Sequence, residues 1–450
     1  MLPECSVYCA FIPDRLASAH GRLDSGPLQI GRRMDRDLLQ DLFDHAVAAA
    51  QPALAIGASL PPRPAGRTVV IGAGKASAQM AKAFEEAWDG PLKGLVVTPY
   101  GYAAPCQHIE IVEAAHPVPD PAGYLAARRI MEIVSGLSHD DLVVALISGG
   151  GSALLPQPAP GMTLEDEQAV NQALLASGAP IGVMNVIRNE VSAIKGGRLA
   201  VLAAPARVAT LIVSDVPGDD PALVASGPTV PLNSTRAAAR HLVSLYGIEL
   251  PQAAHEVLAS DVNPAPRPND PALVHNTVRI IASASLSLEA AAARAQVLGL
   301  AAHILSDAVE GEARDVARVH AAIAREVRTR NRPFAKPAVI LSGGETTVTL
   351  RGAGRGGRNA EFLLAFAIAI AGTEGITALA ADTDGIDGAG DNAGAVADGG
   401  TATRMRAASI DPLAALADND AYNAFRAVDG LFMTGPTGTN VNDFRAIIVR

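Results

Sequence analysis

The chain has 450 residues, 49% of them hydrophobic and 18% charged, which is enough for roughly two or three domains of about 150 residues and too apolar for disorder. A net charge of −10 argues against non-specific binding to nucleic acid or an anionic membrane, yet leaves room for a local basic cluster that receives an anionic substrate. Three cysteines, Cys5, Cys9 and Cys106, give neither a disulfide framework nor paired metal-ligand spacing, which suits the reducing cytoplasm.

Residues 1–33 show no lasting periodicity and are expected to be a loosely ordered leader or a non-native extension. At Met34 the pattern changes: "MDRDLLQDLFDHAVAAA" carries leucine and alanine at helical spacing behind an acidic first turn. Apolar β-rich runs then alternate with Ala-rich helical stretches. The first-half strands are "TVVIGAG", "GLVVTP", "HIEIVEAA", "DLVVALISGGG" and "VATLIVSDV". Most run continuously rather than alternating, as parallel strands buried on both faces do, and right-handed βαβ crossovers then imply a doubly wound α/β layer. The proline-rich "DVNPAPRPNDPALVHN" at 261–276 reads as a domain boundary, dividing the chain at 34–265 and 275–450. Beyond it the pattern restarts with "VRIIASAS", "AHILSD", "AVILSGGE", "ITALAADTDG" and "FRAIIV". "FLLAFAIAIAG" is too short to span a bilayer and reads as a buried helix stopped by Gly372.

The loop "VVIGAGKASAQMA" at 69–81 invites two opposed readings, a nicotinamide site and a phosphate site. A dinucleotide fingerprint needs a third small residue where Ser77 stands, and an acid at the end of the next strand, where "GLVVTPYGY" has none. A Walker loop needs a glycine where Val69 stands and a hydroxyl where Ala76 stands. What remains is a glycine turn opening a helix, which favours an anion, with the charge of Lys75 beside Gly74.

Other segments carry compatible chemistry. "SGGGSALLPQP" sets Gly149, Gly150 and Gly151 between Ser148 and Ser152, a loop able to wrap phosphate with backbone N–H groups. It is not a Gly-x-Ser-x-Gly elbow. "NVIRNEVSAIKGGRLA" gathers Asn185, Arg188 and Lys195, the usual partners of carboxylates and phosphates. Asp215 and Asp384 stand in the turns "SDVPGDD" and "DTDGIDG". The second turn lacks the acid a calcium loop has at its twelfth position, and Mg²⁺ held by one or two carboxylates plus substrate phosphates fits better. "SGGETTVTLRGAGRGGRNAEF" supplies Gly343, Gly344, Glu345, Arg355 and Arg358. His116 in "AAHPVPD" reads more simply as a loop histidine than as a catalyst.

Taken in order, "GAGKAS", "AAHPVPD", "SGGGSALLPQP", "NVIRNEVSAIKGGRLA", "SDVPGDDPALVASGPT", "LSGGETTV", "GRGGRNAEF", "DTDGIDG" and "GPTGTNVND" make the chain from Met34 onward resemble the class II glycerate kinases, or glycerate 2-kinases. The resemblance implies a larger Rossmann-like N-terminal domain with a mostly parallel sheet, a smaller α/β C-terminal domain, and a site in the cleft between. It implies transfer of phosphate from ATP, with Mg²⁺, to the 2-hydroxyl of D-glycerate, with Lys75 and Arg358 catalytically important. Asp215 or Asp384 would lie near the metal or act as base; Lys75 would meet the phosphoryl group or the glycerate carboxylate. Many relatives carry the name hydroxypyruvate reductase, so a nicotinamide-dependent reductase is the rival activity and a non-catalytic nucleotide binder a third. A nucleic acid or membrane partner is not expected; a homodimer is left open.

Overall fold

A computed structural model describes residues 27–450 apart from Pro217, and residues 1–26 of the expected leader lie outside it. The strands are β1 (Thr68–Ala73), β2 (Leu92–Pro99), β3 (Ile109–Ala114), β4 (Leu142–Ser148), β5 (Arg207–Val213), β6 (Thr277–Ala282), β7 (Ala301–Ser306), β8 (Gly311–Glu312), β9 (Ala338–Gly344), β10 (Thr346–Thr347), β11 (Ile376–Asp382), β12 (Gly394–Asp398), β13 (Leu431–Phe432) and β14 (Asp443–Val449). One six-stranded sheet runs β3-β2-β1-β4-β5-β6 and a second β13-β12-β11-β14-β9-β7, while β8 and β10 form a two-stranded pair.

Every pairing in the first sheet is parallel. β1 and β4 are buried throughout, because helices cover both faces. The order reverses between β1 and β4, and in such sheets ligands bind past the carboxyl ends of the strands at that switch point. Lys75 and Gly149–Gly151 therefore follow the two strands that flank the crevice. Beyond the sheet, four helices, Leu164–Ala176, Ile181–Glu190, Arg236–Leu245 and Gln252–Ala259, close a small apolar cluster of their own.

The second sheet differs from the expected repeat of the pattern. Only β7 and β9 are parallel; β14 is antiparallel to both β9 and β11, and β12 to both β11 and β13. Helices cover this sheet too, so its central strands are buried on both faces, and a strand so placed reads as a continuous apolar run whichever way it points. The expected apolar helix is present at Arg358–Ala369, with residues Asn359 to Ala367 all buried.

Two elements fall across the expected boundaries at 34, 265 and 275. The first helix spans Pro27–Ala49 and so begins before Met34. Its Leu39, Leu42, Phe43 and Ala46 pack with Leu288, Val339 and Phe444 of the second sheet's layer rather than with the first sheet. Conversely β6, beyond the proline-rich stretch, pairs in parallel with β5 and completes the first sheet. The prolines mark an excursion between neighbouring strands, and the chain crosses between the two layers near residues 50 and 283.

Candidate active site

The glycine turn after β1 is held by backbone geometry. Gly74 has φ +142°, a region that favours glycine, and a Cβ there would lie 2.1 Å from Ser148 Oγ. The Lys75 N–H donates to Gly149 O at 2.8 Å and the Ala76 N–H to Ser148 Oγ at 3.0 Å. Ser77 Oγ donates to Leu146 O at 2.9 Å. The loops after β1 and β4 are thus one unit, which explains Ser77 in place of the fingerprint's third small residue: its hydroxyl is used inside the protein. Lys75 is half-buried and forms no ion pair among the described residues.

Three consecutive glycines admit three different neighbours. A Cβ on Gly149 would lie 1.7 Å from Asp215 Oδ2; one on Gly150 would lie 3.1 Å from His116 Nε2 and 3.3 Å from Lys75 Cγ; one on Gly151 would lie 2.7 Å from Ala73 O. Lys75, Asp215 and His116 accordingly converge on one loop. Burial raises the Asp215 carboxyl to about 6; the Lys75 charge works against this and Glu345 adds to it. His116 is exposed as a residue, yet burial of its ring first and then the Lys75 charge hold its pKa below the usual value.

Ser152 is joined to the helical cluster. Its hydroxyl lies 2.8 Å from Ser226 Oγ, which donates to Asn185 Oδ1 at 2.8 Å. Arg188 reaches the same Asn185 Oδ1 at 3.5 Å and Asn171 Oδ1 at 3.0 Å. Ser152, Asn185 and Arg188 therefore come together. Lys195 does not join them: its side chain is 2% exposed, with Nζ donating to Glu167 Oε1 at 2.7 Å and Leu155 O at 3.1 Å. That buried pair leaves it no open surface for a ligand.

Across the cleft, Arg358 opens its helix and is held by three carboxylates. Nε donates to Asp443 at 2.6 Å, Nη2 to Asp382 at 2.7 Å and Nη1 to Glu345 at 3.2 Å. Burial alone would lower the Arg358 pKa, but Asp443 and Asp382 outweigh it and keep the guanidinium charged. Burial also pushes Asp382 well up, against the pull of Arg358, while Arg445 and Arg358 overcome burial at Asp443 and lower it. Asp443 and Asp382 are buried and Glu345 is exposed, so Glu345 is the partner that a ligand can replace. The Glu345 charge also acts on Asp215, and Asn442 Nδ2 donates to Asp215 O at 2.6 Å. These contacts bring the two halves of the site together.

Other residues expected in the site are engaged in building it. Gly344 has φ +116° and packs where a Cβ would lie 2.2 Å from Val309 N, and Gly343 O accepts the Val309 N–H at 3.1 Å, so this turn is filled by protein. Arg355 stacks on Tyr422 at 3.9 Å and reaches Asp391 at 3.5 Å on the exposed loop. Asp384 Oδ1 accepts the Ile386 N–H at 2.8 Å, and its other oxygen has no partner among the described residues. Asp387 caps the Arg358 helix through the Asn359 and Ala360 N–H groups at 3.0 and 2.8 Å. Among the described residues, no group of three or more His, Cys, Asp or Glu side chains is arranged to hold a metal ion. Asp443 and Asn442 were not singled out from the sequence; the only signal was their place in "GPTGTNVND".

Both halves of the chain are similar to known proteins. Residues 38–259 match a domain of unknown function, DUF4147, and residues 338–443 match the MOFRL family. A D-glycerate 2-kinase of Thermotoga maritima is 39% identical over 411 residues, 91% of this chain and 97% of that protein. The chain belongs to the glycerate kinase family. A crystal structure of glycerate kinase from Thermotoga maritima superposes with a TM-score of 0.86 at 38% identity, covering 93% of this chain and all of that one. A protein of Agrobacterium vitis named as a hydroxypyruvate reductase is 55% identical over 417 residues, 92% of this chain and 94% of its own length.

Proposed function

We propose that this family member is an ATP-dependent D-glycerate 2-kinase acting in the cytoplasm. The observation that carries the reading is the half-buried Lys75 at the switch point, without an ion pair among the described residues, whose charge acts on Asp215 together with Glu345, the exposed partner of Arg358. Phosphoryl transfer asks chiefly for such positioned charge. A reductase reading has the Agrobacterium name in its favour. It needs an acid at the end of β2, where the chain has Thr98, Pro99 and Tyr100.

Lys75 and the Gly149–Gly151 backbone receive anionic oxygens, and Arg188 with Asn185 extends the polar wall past Ser152. Arg358 offers Nη1 once Glu345 releases it. Asp215, raised to about 6, is ionised at neutral pH yet basic enough to accept the 2-hydroxyl proton. Mg²⁺ supplies charge neutralisation when it arrives with the nucleotide phosphates, and Asp384, with one unpartnered oxygen, is the acidic side chain that fits it. Lys75→Ala should lower kcat about 10²- to 10³-fold with the fold retained, since Lys75 makes no ion pair among the described residues, and should push the Asp215 carboxyl further up, since Lys75 is the charge that holds it down. Turnover near the parent value would contradict the assignment.

A further inference from the structure

The parallel sheet sets its functional groups out in spatial order. His116 lies two residues past the end of β3, Lys75 two past β1, Gly149–Gly151 directly after β4, and Asp215 two past β5. The second sheet's groups enter from the Asp215 end. Asn442 bonds the Asp215 backbone there, the Glu345 charge acts on the Asp215 carboxylate, and Glu345 holds Arg358. The reacting centre therefore lies toward Asp215 and Arg358. His116 stands on the other flank of the same glycine loop, against Gly150 and the stem of Lys75.

Two further facts concern the imidazole. Neither ring nitrogen has a hydrogen-bond partner among the described residues, although most nearby polar groups are paired. The residue is exposed, yet the ring lies against Gly150, and burial first and the Lys75 charge second hold its pKa below the usual value. Beside a lysine the neutral ring is favoured, and a neutral imidazole both donates and accepts a hydrogen bond. A hydroxyl suits such a group better than a second ion.

We infer that His116 hydrogen-bonds the hydroxyl of the substrate that is not phosphorylated, and so selects a hydroxy acid carrying a second hydroxyl on its far carbon. This rests on the reading of the cleft as a glycerate site. It makes the His116 segment a specificity element beside the Lys75 stem, where Gly150 lets the ring approach. Any side chain on Gly150 would occupy the space between the ring and the Lys75 stem.

The test compares D-glycerate with D-lactate, which lacks the 3-hydroxyl, in the full-length enzyme. KM for D-glycerate and the inhibition constant of D-lactate are measured for the parent, His116→Ala and His116→Gln. The proposal expects His116→Ala to raise the glycerate KM about tenfold, the worth of one hydrogen bond, with kcat and the D-lactate constant nearly unchanged. His116→Gln, which keeps a donor and an acceptor, should recover part of the loss. Equal loss for both ligands, or a fall in kcat at constant KM, would overturn the proposal while leaving the kinase reading intact. A parent enzyme without activity on D-glycerate would overturn both. A thermal midpoint equal to the parent's confirms that the exposed His116 is not needed for folding.

Discussion

At the scale of single residues, the two lysines of the conspicuous motifs have opposite fates. Lys75, at the mouth of the switch point, forms no ion pair among the described residues, whereas Lys195 is enclosed with Glu167 at 2.7 Å. Removing one member of a buried pair strands the other charge, which costs about 3–5 kcal/mol. Lys195→Met should therefore lower the unfolding free energy by that order, while kcat and KM per folded molecule hold; urea denaturation and active-site-normalised kinetics check both. A changed KM with unchanged stability would restore Lys195 to the site. The sequence separated these lysines poorly. The signal at Lys75 was local, a glycine turn between strand and helix, whereas the partner of Lys195 lies 28 residues away on a helix whose packing no local pattern reveals. The same reason hid Asp443: its role comes from meeting Arg358 and Asn359, 85 and 84 positions earlier.

At the scale of elements, helix Ala313–Arg330 docks on β9 through a buried histidine. His320 Nδ1 lies 2.9 Å from Val316 O and Nε2 3.0 Å from Ser342 Oγ, with Phe362 edge-on at 5.3 Å. Burial lowers its pKa from 6.5 to about 4, with the Val316 carbonyl pulling the other way and Arg445 adding to the fall. The unfolded chain then binds the proton more tightly than the folded one. Stability contributed by neutral His320 is thus present above pH 6.5 and is lost as pH falls toward 4, by up to roughly 3 kcal/mol. Asp215 and Asp387, both raised to about 6 by burial, work in the opposite sense over part of that window. The decisive quantity is therefore the difference between the parent and His320→Gln. The variant should show less loss of stability between pH 6.5 and pH 4 in denaturant titrations, and an identical slope would contradict the docking role. Elements of this kind were visible as apolar runs. Their direction was not: β14 and β4 are both buried along their whole length, although one is antiparallel to its neighbours and the other parallel, because helices on both faces erase the alternation that would distinguish them.

At the scale of the whole molecule, the two layers are interleaved rather than consecutive. The first helix packs on the second sheet, so that layer is built from both ends of the chain, while the first layer, completed by β6, is the stretch between them. The doubly wound layer could be read from β1 to β5, where helices separate the strands except between β2 and β3. The interleaving could not, because a proline-rich stretch looks the same between domains and between neighbouring strands. Its consequence for function is that the switch-point loops face Arg358 and Glu345 across the junction, with Asn442 bonded to Asp215. Opposed positive groups on two layers suit a substrate held between them during phosphoryl transfer. The most direct measurement supplies the purified enzyme with ATP, Mg²⁺ and D-glycerate, together with enolase and no phosphoglycerate mutase. Formation of phosphoenolpyruvate is expected, because enolase accepts only the 2-phosphate. Consumption of NADH with hydroxypyruvate in the absence of ATP, or a phosphorylated product that enolase leaves untouched, would contradict the account.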